Sequence, residues 1–204
     1  MASSIVSILT TLFIATIFLF ISSPNIVTST KITTSPLIGE ACSNKGRNID
    51  SKLCIKVLQS QRQVVSAKKL FDLSIRIMKS GLSNATNTLK YLEKRLNKPK
   101  IDPNLKGALQ KCKSSYDLVT SSFKSALSEV RDYKNYDLPS YELLIASTDN
   151  IKPCVEIVAS KKIKDGIILI GNKVVPIFGL SACNVVDRLY LNSRTPPPPR
   201  HHVS

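Results

Sequence analysis

Five cysteines are the residues of this 204-residue chain that are best suited to specific chemistry. They are Cys42, Cys54, Cys112, Cys154 and Cys183. Thiols in an oxidising compartment pair as disulfides, and an odd number leaves one free. Any four of them allow three pairings, and the sequence alone does not choose among these. The short spacing of Cys42 and Cys54 makes them the easiest pair to close, which would leave Cys112 with Cys154. Cys183 would then be a free thiol that packs as a small apolar residue.

Catalytic and metal chemistry have little material in this sequence. The only histidines, His201 and His202, lie in the last four residues behind four prolines, which argues against histidine-dependent nucleophiles and histidine metal sites. No Cys-x-x-Cys or His-Glu-x-x-His motif and no glycine-rich phosphate loop occurs, so we expect no metal and no cofactor. Four carboxylates could supply a glycosidase pair, but on a small helical protein such residues are usually solvated. These are Asp117, Glu129, Asp132 and Asp137. The sequence therefore predicts a protein that is not an enzyme.

The charge is distributed unevenly along the chain. The first thirty residues carry no charged side chain, and the remainder holds 29 basic and 14 acidic residues, for a formal charge of +15. A hydrophobic content of 43% is enough to build a core and excludes global disorder. Such a basic surface could attract nucleic acid, but an exported protein would instead meet a polyanionic wall polysaccharide or an acidic protein. We therefore expect no nucleic-acid partner.

The uncharged start of the chain is typical of a secretory signal. The segment 5–21 is almost entirely apolar and passes into Ser22, Ser23 and Pro24. Its length is at the low end of the roughly 17 to 25 residues that a membrane helix needs, so an uncleaved anchor is the alternative. We predict a signal peptide over 1–29, with cleavage nearer Ser23 as a second option. The protein would then be secreted and would have no membrane association after removal of the signal.

Four later stretches place apolar residues at a three-to-four spacing, which indicates one face of an α-helix. They cover 66–97, 105–130, 140–158 and 172–191. Short joins between them predict an antiparallel up-down-up-down four-helix bundle. In the third stretch Ser140 is the expected N-cap, Tyr141 begins the inward stripe and Pro153 should kink the helix. Pro176 should lie in the first turn of the fourth helix, after a connector over 161–171.

Two further features lie on or beyond these helices. The sequence Asn84-Ala85-Thr86 is a glycosylation sequon, although its position within a helix makes use and non-use equally reasonable. Four consecutive prolines favour an extended, disordered tail over 193–204. The folded domain is therefore predicted to span 36–192.

The combination of these features resembles the plant invertase and pectin methylesterase inhibitor family. The resemblance extends from Ile38 to Leu191, and no single motif within it is specific by itself. The matching segments are Glu40-Ala41-Cys42, Leu53-Cys54-Ile55-Lys56-Val57-Leu58, Ala108-Leu109-Gln110-Lys111-Cys112 with Tyr116, Ala126-Leu127, Asp132-Tyr133 and Cys154.

This resemblance implies an all-α fold with two disulfides. A helical hairpin closed by Cys42 and Cys54 would precede the four-helix bundle, and Cys112 would be bonded to Cys154. The implied function is inhibition of a cell-wall or vacuolar carbohydrate enzyme, in a one-to-one complex that blocks its active-site cleft.

The join between the second and third bundle helices bears on the target. Many invertase inhibitors of this family carry Pro-Lys-Phe there, whereas this chain has Tyr133-Lys134-Asn135-Tyr136. We therefore expect a pectin methylesterase target in the cell wall (apoplast) rather than the vacuole, with acid invertase as the alternative. A non-inhibitory basic protein that binds the wall, with electrostatic contact to pectin, is the alternative of another class.

Family members that inhibit pectin methylesterase present the middle bundle helices to the enzyme. We therefore expect the partner to contact exposed polar residues of these helices, together with the join between them. The residues are Lys113, Thr120, Lys124, Glu129, Tyr133, Lys134, Asn135 and Tyr136. Aromatic and basic side chains are common anchors of interfaces. An equally weighted alternative is that Tyr133 and Tyr136 only cover the end of the bundle.

Overall fold

The computed structural model describes residues 35–44 and 46–194, and every regular element among them is helical. The all-α prediction is confirmed. The predicted signal peptide and residues 195–204 lie outside the described residues. In chain order the helices are α1 (Pro36–Ala41), α2 (Ser51–Gln59), α3 (Arg62–Val65), α4 (Leu70–Leu96), α5 (Pro103–Ser128), α6 (Asp137–Ser147), α7 (Lys152–Ser160) and α8 (Gly166–Arg194), with one π-helical turn (Glu129–Tyr133) directly after α5.

The bundle has four helical positions. Helices α4, α5 and α8 fill three of them, and α6 and α7 together fill the fourth. Helix α4 packs against α5 and α8, and α6 packs between α5 and α8, as the predicted bundle requires. Three large aromatic side chains, Tyr116, Phe123 and Phe178, are fully buried within it. Each of these side chains removes a large apolar area from water and therefore contributes strongly to the stability of the core.

The starts of two helices follow from simple capping chemistry. The Asp50 carboxylate accepts a hydrogen bond from the Leu53 amide at 3.0 Å, and Asp102 accepts one from Leu105 at 3.0 Å. Pro103 occupies the first position of α5, where its missing amide hydrogen costs nothing. These caps fix where α2 and α5 begin.

The third predicted helix is wrong in three respects. It is divided into α6 and α7 by residues 148–151, because Pro153 is placed in the first turn of α7 rather than inside a continuous helix. Helix α6 begins at Asp137, so Ser140 is not its N-cap. The inward stripe is also displaced, since Tyr141 is 62% exposed whereas Leu143 is buried.

The fourth predicted helix is longer than expected at both ends. It begins at Gly166 instead of residue 172. At this observed start, the Asp165 carboxylate accepts a hydrogen bond from the Ile167 amide at 3.1 Å. Pro176 therefore lies inside the helix and not in its first turn, and the carbonyl of Asn172 lacks its usual helical donor. At the other end, the helix continues to Arg194, two residues into the predicted tail.

Two glycines allow the long helices to approach each other closely. A Cβ atom at Gly81 of α4 would lie 2.5 Å from Cε1 of Phe123 on α5. A Cβ atom at Gly179 of α8 would lie 1.8 Å from Oγ of Ser147 on α6. Side chains at these positions would overlap with their neighbours, so glycine is required by packing.

Two disulfides each join two different helical segments of the chain. Cys42 is bonded to Cys54, with 5.6 Å between their Cα atoms, and this bond closes the N-terminal hairpin of α1 and α2. Cys112 on α5 is bonded to Cys154 on α7, with 4.3 Å between their Cα atoms. Both pairs are the ones that the family resemblance implied.

Helix α8 is the only helix in the described part of the chain that is long and apolar enough to cross a membrane. Of its most apolar window, 56% is buried inside the bundle. Burial of this extent is typical of the core helix of a water-soluble bundle.

Candidate interaction surface

The turn between α5 and α6, which we call the hairpin tip (residues 129–136), is held in one conformation by its own residues. The Glu129 carbonyl accepts a hydrogen bond from the Asn135 amide at 3.2 Å. The Asn135 side-chain amide donates to the Glu129 carboxylate at 3.1 Å. Lys134 adopts a left-handed backbone conformation with φ of 54°, which is costly for a side chain with a Cβ atom and persists only where neighbouring contacts impose it.

Two side-chain contacts of Lys134 stabilise this backbone conformation. Its ammonium group donates a hydrogen bond to the Arg131 carbonyl at 2.7 Å and lies 4.1 Å from the ring centroid of Phe71 on α4. A cation over an aromatic face is attracted by the ring quadrupole. The Lys134 ammonium group is therefore engaged by the bundle, although the residue itself is exposed.

The two tyrosines of the hairpin tip differ in exposure. Tyr133 is 72% exposed, whereas Tyr136 is half-buried and packs against the core. Tyr136 also borders a cavity of about 300 Å³ that is lined by Tyr141 and Tyr190. Tyr136 thus covers the end of the bundle, and Tyr133 is available to a partner.

The four polar residues that we predicted on the middle helices do not form one exposed face. Lys113 is half-buried and pairs with Asp117 at 2.8 Å and with Glu93 of α4 at 3.8 Å. The hydrogen bond to Asp117 raises the pKa of Lys113. Thr120 is only 6% exposed, and its hydroxyl donates to the Asp117 carbonyl. The expectation that Thr120 is an exposed contact residue is therefore wrong, because it lies on the side of α5 that is buried in the bundle.

The outward side of α5 is formed by a different set of residues, together with Lys124. Its exposed positions include Gln110, Lys111, Ser114, Asp117, Leu118, Ser121 and Lys124. Leu118 is 56% exposed, and on α6 the exposed large side chains are Leu138 at 48% and Tyr141 at 62%. Single exposed apolar residues are ordinary, but a leucine, two tyrosines and a second leucine on adjacent elements are suited to a protein interface.

Side-chain hydrogen bonds fix α6 and the break after it against α5. The Ser125 hydroxyl donates to the Glu142 carboxylate at 2.7 Å, and the Asn150 amide donates to the Ser122 hydroxyl at 3.2 Å. The exposed residues of both helices are therefore presented by a rigid support. We use the name α5–α6 face for the exposed residues Leu118, Lys124, Tyr133, Leu138 and Tyr141, which lie on these two helices and on the hairpin tip between them.

A family model described as plant invertase/pectin methylesterase inhibitor matches residues 36–169 of this chain. The chain belongs to this inhibitor family. Its relative from Arabidopsis thaliana, the cell wall / vacuolar inhibitor of fructosidase 2, is 28% identical over 148 residues, which are 72% of this chain and 74% of the relative.

Solved structures with the inhibitor fold are similar to the bundle. A mutant form of a pectin methylesterase inhibitor from Arabidopsis superposes with a TM-score of 0.62 at 18% identity, covering 73% of this chain and 96% of that one. A pectin methylesterase inhibitor from Arabidopsis thaliana gives a TM-score of 0.56 at 18% identity, covering 74% and 95%. At this identity the likeness establishes the fold.

In this inhibitor-family chain the N-terminal hairpin is attached to α8 by buried polar contacts. The Asn184 amide donates to the carbonyls of Ala41 at 2.9 Å and Ser43 at 3.0 Å. Arg47 donates to the Asn184 side-chain oxygen at 2.8 Å and forms an ion pair with Asp187. These charged hydrogen bonds link the hairpin to the same end of α8 that lies beside the hairpin tip.

Cys183 lies beneath these contacts as the one free cysteine among the described residues. Its thiol is fully buried and donates to the Ser140 carbonyl at 3.1 Å. Burial raises the pKa of the Cys183 thiol, so it stays neutral at ordinary pH and is a poor nucleophile. The position suits a packing residue.

Glycosylation of Asn84 and the absence of a bound metal both stay predictions. Asn84 is half-buried in the middle of α4, and its side-chain amide donates to the Ser80 carbonyl at 3.0 Å. Glycosylation would require this amide to leave the helix surface. Residues 35–44 and 46–194 contain no group of three or more histidine, cysteine, aspartate or glutamate side chains placed to hold a metal ion.

Proposed function

We propose that this chain is a secreted inhibitor, without catalytic activity of its own, that blocks the active-site cleft of pectin methylesterase in a one-to-one complex. The observation that carries the proposal is the rigid, partly apolar α5–α6 face on a scaffold of the inhibitor family. Inhibition by occlusion needs a complementary surface and no reactive group, which agrees with the buried, neutral Cys183 thiol.

The conformation of the hairpin tip favours pectin methylesterase over invertase. The family resemblance associates invertase inhibition with a Pro-Lys-Phe segment at this join. Here the lysine at the tip, Lys134, is bound to the Arg131 carbonyl and to the Phe71 ring. A lysine whose ammonium group is already engaged by its own bundle is less available to a cleft, so contact through the helix faces is the favoured mode.

Acid invertase is the second candidate target. The Arabidopsis relative at 28% identity is named as an inhibitor of fructosidase, and it is more similar in sequence than the solved pectin methylesterase inhibitors at 18%. An invertase complex would use the same scaffold and would require the hairpin tip to rearrange. Both targets are carbohydrate enzymes that a secreted protein would meet in the cell wall.

The positive charge supports an additional, weaker contact with the wall. A formal charge of +15 attracts polyanions such as de-esterified pectin and would concentrate the inhibitor where pectin methylesterase acts. Screening by salt weakens such contacts, so they should be lost at high ionic strength.

The experiment that tests the proposal is a titration of both enzymes with the secreted protein at wall pH. We expect pectin methylesterase activity to fall linearly to an equivalence point at one inhibitor per enzyme, with little effect on acid invertase. Leu118→Asp and Tyr141→Ala should each weaken inhibition by about tenfold or more, as expected for anchors at the centre of an interface. Leu191→Asp, at an equally exposed leucine outside this face, is the matched control.

Three results would contradict the proposal. The first is full pectin methylesterase activity at large molar excess of inhibitor. The second is inhibition of invertase alone, which would establish the second candidate. The third is inhibition that Leu191→Asp weakens as much as Leu118→Asp, which would place the contact elsewhere.

A further inference from the structure

A groove between α7 and α8 is separate from the α5–α6 face and has a volume of about 520 Å³. Its apolar lining includes Val155, Val158, Ile163 and Leu169. Val155 is 41% exposed and Leu169 is 46% exposed, so part of this apolar surface is in contact with water. Asp187 of α8 lies beside Tyr136 of the hairpin tip. The groove lies about sixteen residues earlier on the same helix, which is a distance of roughly 25 Å along the helix axis.

The chain reversal after α7 creates the groove. Lys162 adopts a left-handed conformation with φ of 51°, and the amide of Ile163 donates to the Val158 carbonyl at 3.0 Å. This hydrogen bond turns Ile163 back toward the core while the lysines beside it remain at the surface. The result is an apolar floor directly below basic side chains.

Three lysines border the groove, namely Lys162, Lys164 and Lys173. Within the part of the chain that the structure describes, none of them forms an ion pair. The closest acidic residue in sequence, Asp165, is already bound by Tyr91 and Arg95 and caps α8. The rim of the groove therefore has a positive potential that no neighbouring carboxylate neutralises.

We propose that this groove binds a small amphipathic organic anion, in which an apolar chain or ring system carries one acidic group. The volume is within the range of about 300 to 1,000 Å³ that is typical of small-molecule sites, and apolar lining with a few charged groups is the usual composition of such sites. The apolar part would cover Val155 and Leu169, and the acidic group would contact the lysines.

The charges of the chain itself disfavour the other simple occupants. Residues 1–34 and 195–204 contain no aspartate or glutamate, so these segments offer no acidic side chain to complement the lysines. A second copy of the chain carries the same charge of +15 and would be repelled. A ligand from outside the chain that carries the acidic group therefore suits the groove best, and its binding does not depend on the proposed inhibitory function.

Two fluorescent probes that differ in charge test this site on the secreted full chain. The anionic probe is 8-anilinonaphthalene-1-sulfonate, and the neutral probe is N-phenyl-1-naphthylamine, which has the same ring system without the sulfonate. We expect saturable binding of the anionic probe at one site, with weaker binding of the neutral probe. Leu169→Asp and Val155→Asp should each weaken binding of the anionic probe by at least about tenfold, because each places a negative charge on the apolar floor of the groove.

The contribution of the lysines is tested with a matched pair of double variants. Lys164→Gln with Lys173→Gln should weaken binding of the anionic probe by about fivefold or more, as expected for loss of exposed ion pairs. Binding of the neutral probe should be unchanged. Lys52→Gln with Lys56→Gln on α2 makes the same change in net charge away from the groove and should have no effect. Leu191→Asp, on the same helix as Leu169, is the control for the apolar change.

The proposal is overturned if the anionic probe does not bind saturably, or if the control variants weaken its binding as much as the groove variants do. Either result would mean general adsorption to a basic surface. Equal binding of the two probes, unaffected by the lysine variants, would also contradict it, since the site would then be apolar without selectivity for anions. Thermal unfolding of each variant shows whether the bundle is intact.

Discussion

The ammonium nitrogen of Lys134 lies 4.1 Å from the ring centroid of Phe71, so the turn that follows α5 rests on the first turn of α4. This contact fixes the hairpin tip, in which Lys134 has a left-handed backbone and Tyr133 is 72% exposed. The conformation of the proposed contact surface thus depends on a residue of another helix that does not belong to that surface.

Replacement of Phe71 should therefore affect inhibition without affecting the fold. Phe71→Leu retains apolar bulk but removes the aromatic face, and we expect it to weaken inhibition by about two- to fivefold, in line with a contribution of roughly 0.5 to 1 kcal/mol from an exposed cation–π contact. Phe71→Tyr retains the ring and is the matched control. Inhibition constants and melting temperatures of both variants provide the measurement, and equal inhibition by Phe71→Leu and wild type would contradict the expected role.

Close helix contacts at two glycines make a second prediction. Gly81→Ala and Gly179→Ala should each lower the free energy of unfolding by about 1 to 3 kcal/mol, because the new methyl group would overlap with Phe123 or Ser147. Gly107→Ala, on α5, has no atom within 4 Å of the added Cβ and should instead raise stability by up to about 1 kcal/mol. Urea unfolding measures all three, and a stabilised Gly179→Ala variant would show that the helices are not in such close contact.

The sequence predicted the helices with regular apolar spacing most accurately. The stripe from Leu105 to Val130 places Cys112, Tyr116 and Phe123 in the core, as the structure does. The sequence predicts too late a start for α8, because the residues at its beginning do not show the inward periodicity of a buried face. Ile167 and Ile170 there are exposed. The position of Pro176 inside that helix could not be expected from propensity, since burial of the surrounding helix outweighs the lost hydrogen bond.

Less of the candidate surface than of the fold was predictable. Leu118 lies outside the inward stripe of α5, so its 56% exposure could have been found from the spacing alone. Tyr141 has a spacing that indicated the core, but the buried positions of α6 include Leu143 and Ala146, and Tyr141 is exposed. The contact of Lys134 with Phe71 joins residues distant in sequence, and no local pattern indicates it.

The disulfide between α5 and α7 should stabilise the bundle more than the hairpin disulfide does. Loop-entropy arguments give about 4 kcal/mol for Cys112–Cys154, whose sequence separation is 42, and about 3 kcal/mol for Cys42–Cys54, whose separation is 12. We expect the double variant Cys112→Ala with Cys154→Ala to show the larger decrease in the free energy of unfolding in urea. A larger loss in the Cys42→Ala, Cys54→Ala variant would mean that attachment of the hairpin, and not the cross-link of the bundle, dominates stability.

The hairpin tip should keep its conformation at the acidic pH of a cell wall. Hydrogen bonds from Arg131 lower the pKa of the Asp132 carboxyl, so this group stays ionised below its usual range. A lowered pKa in the folded state means that the ion pair contributes above the unfolded pKa of about 3.9 and is lost only as the pH falls through the lowered value. An NMR titration of the Asp132 carboxyl should give a midpoint below about 3.9, which Arg131→Gln should raise. A midpoint at or above 3.9 in the unaltered protein would contradict this ion pair.

Hydrogen–deuterium exchange of the full secreted chain, with and without saturating pectin methylesterase, tests the proposed mode of inhibition most directly. We expect the enzyme to slow amide exchange over residues 114–148, which contain the outward side of α5, the hairpin tip and α6, while residues 155–173 around the α7–α8 groove exchange at an unchanged rate. Unchanged exchange over 114–148 at saturation, or protection confined to the groove or to the N-terminal hairpin, would contradict the account.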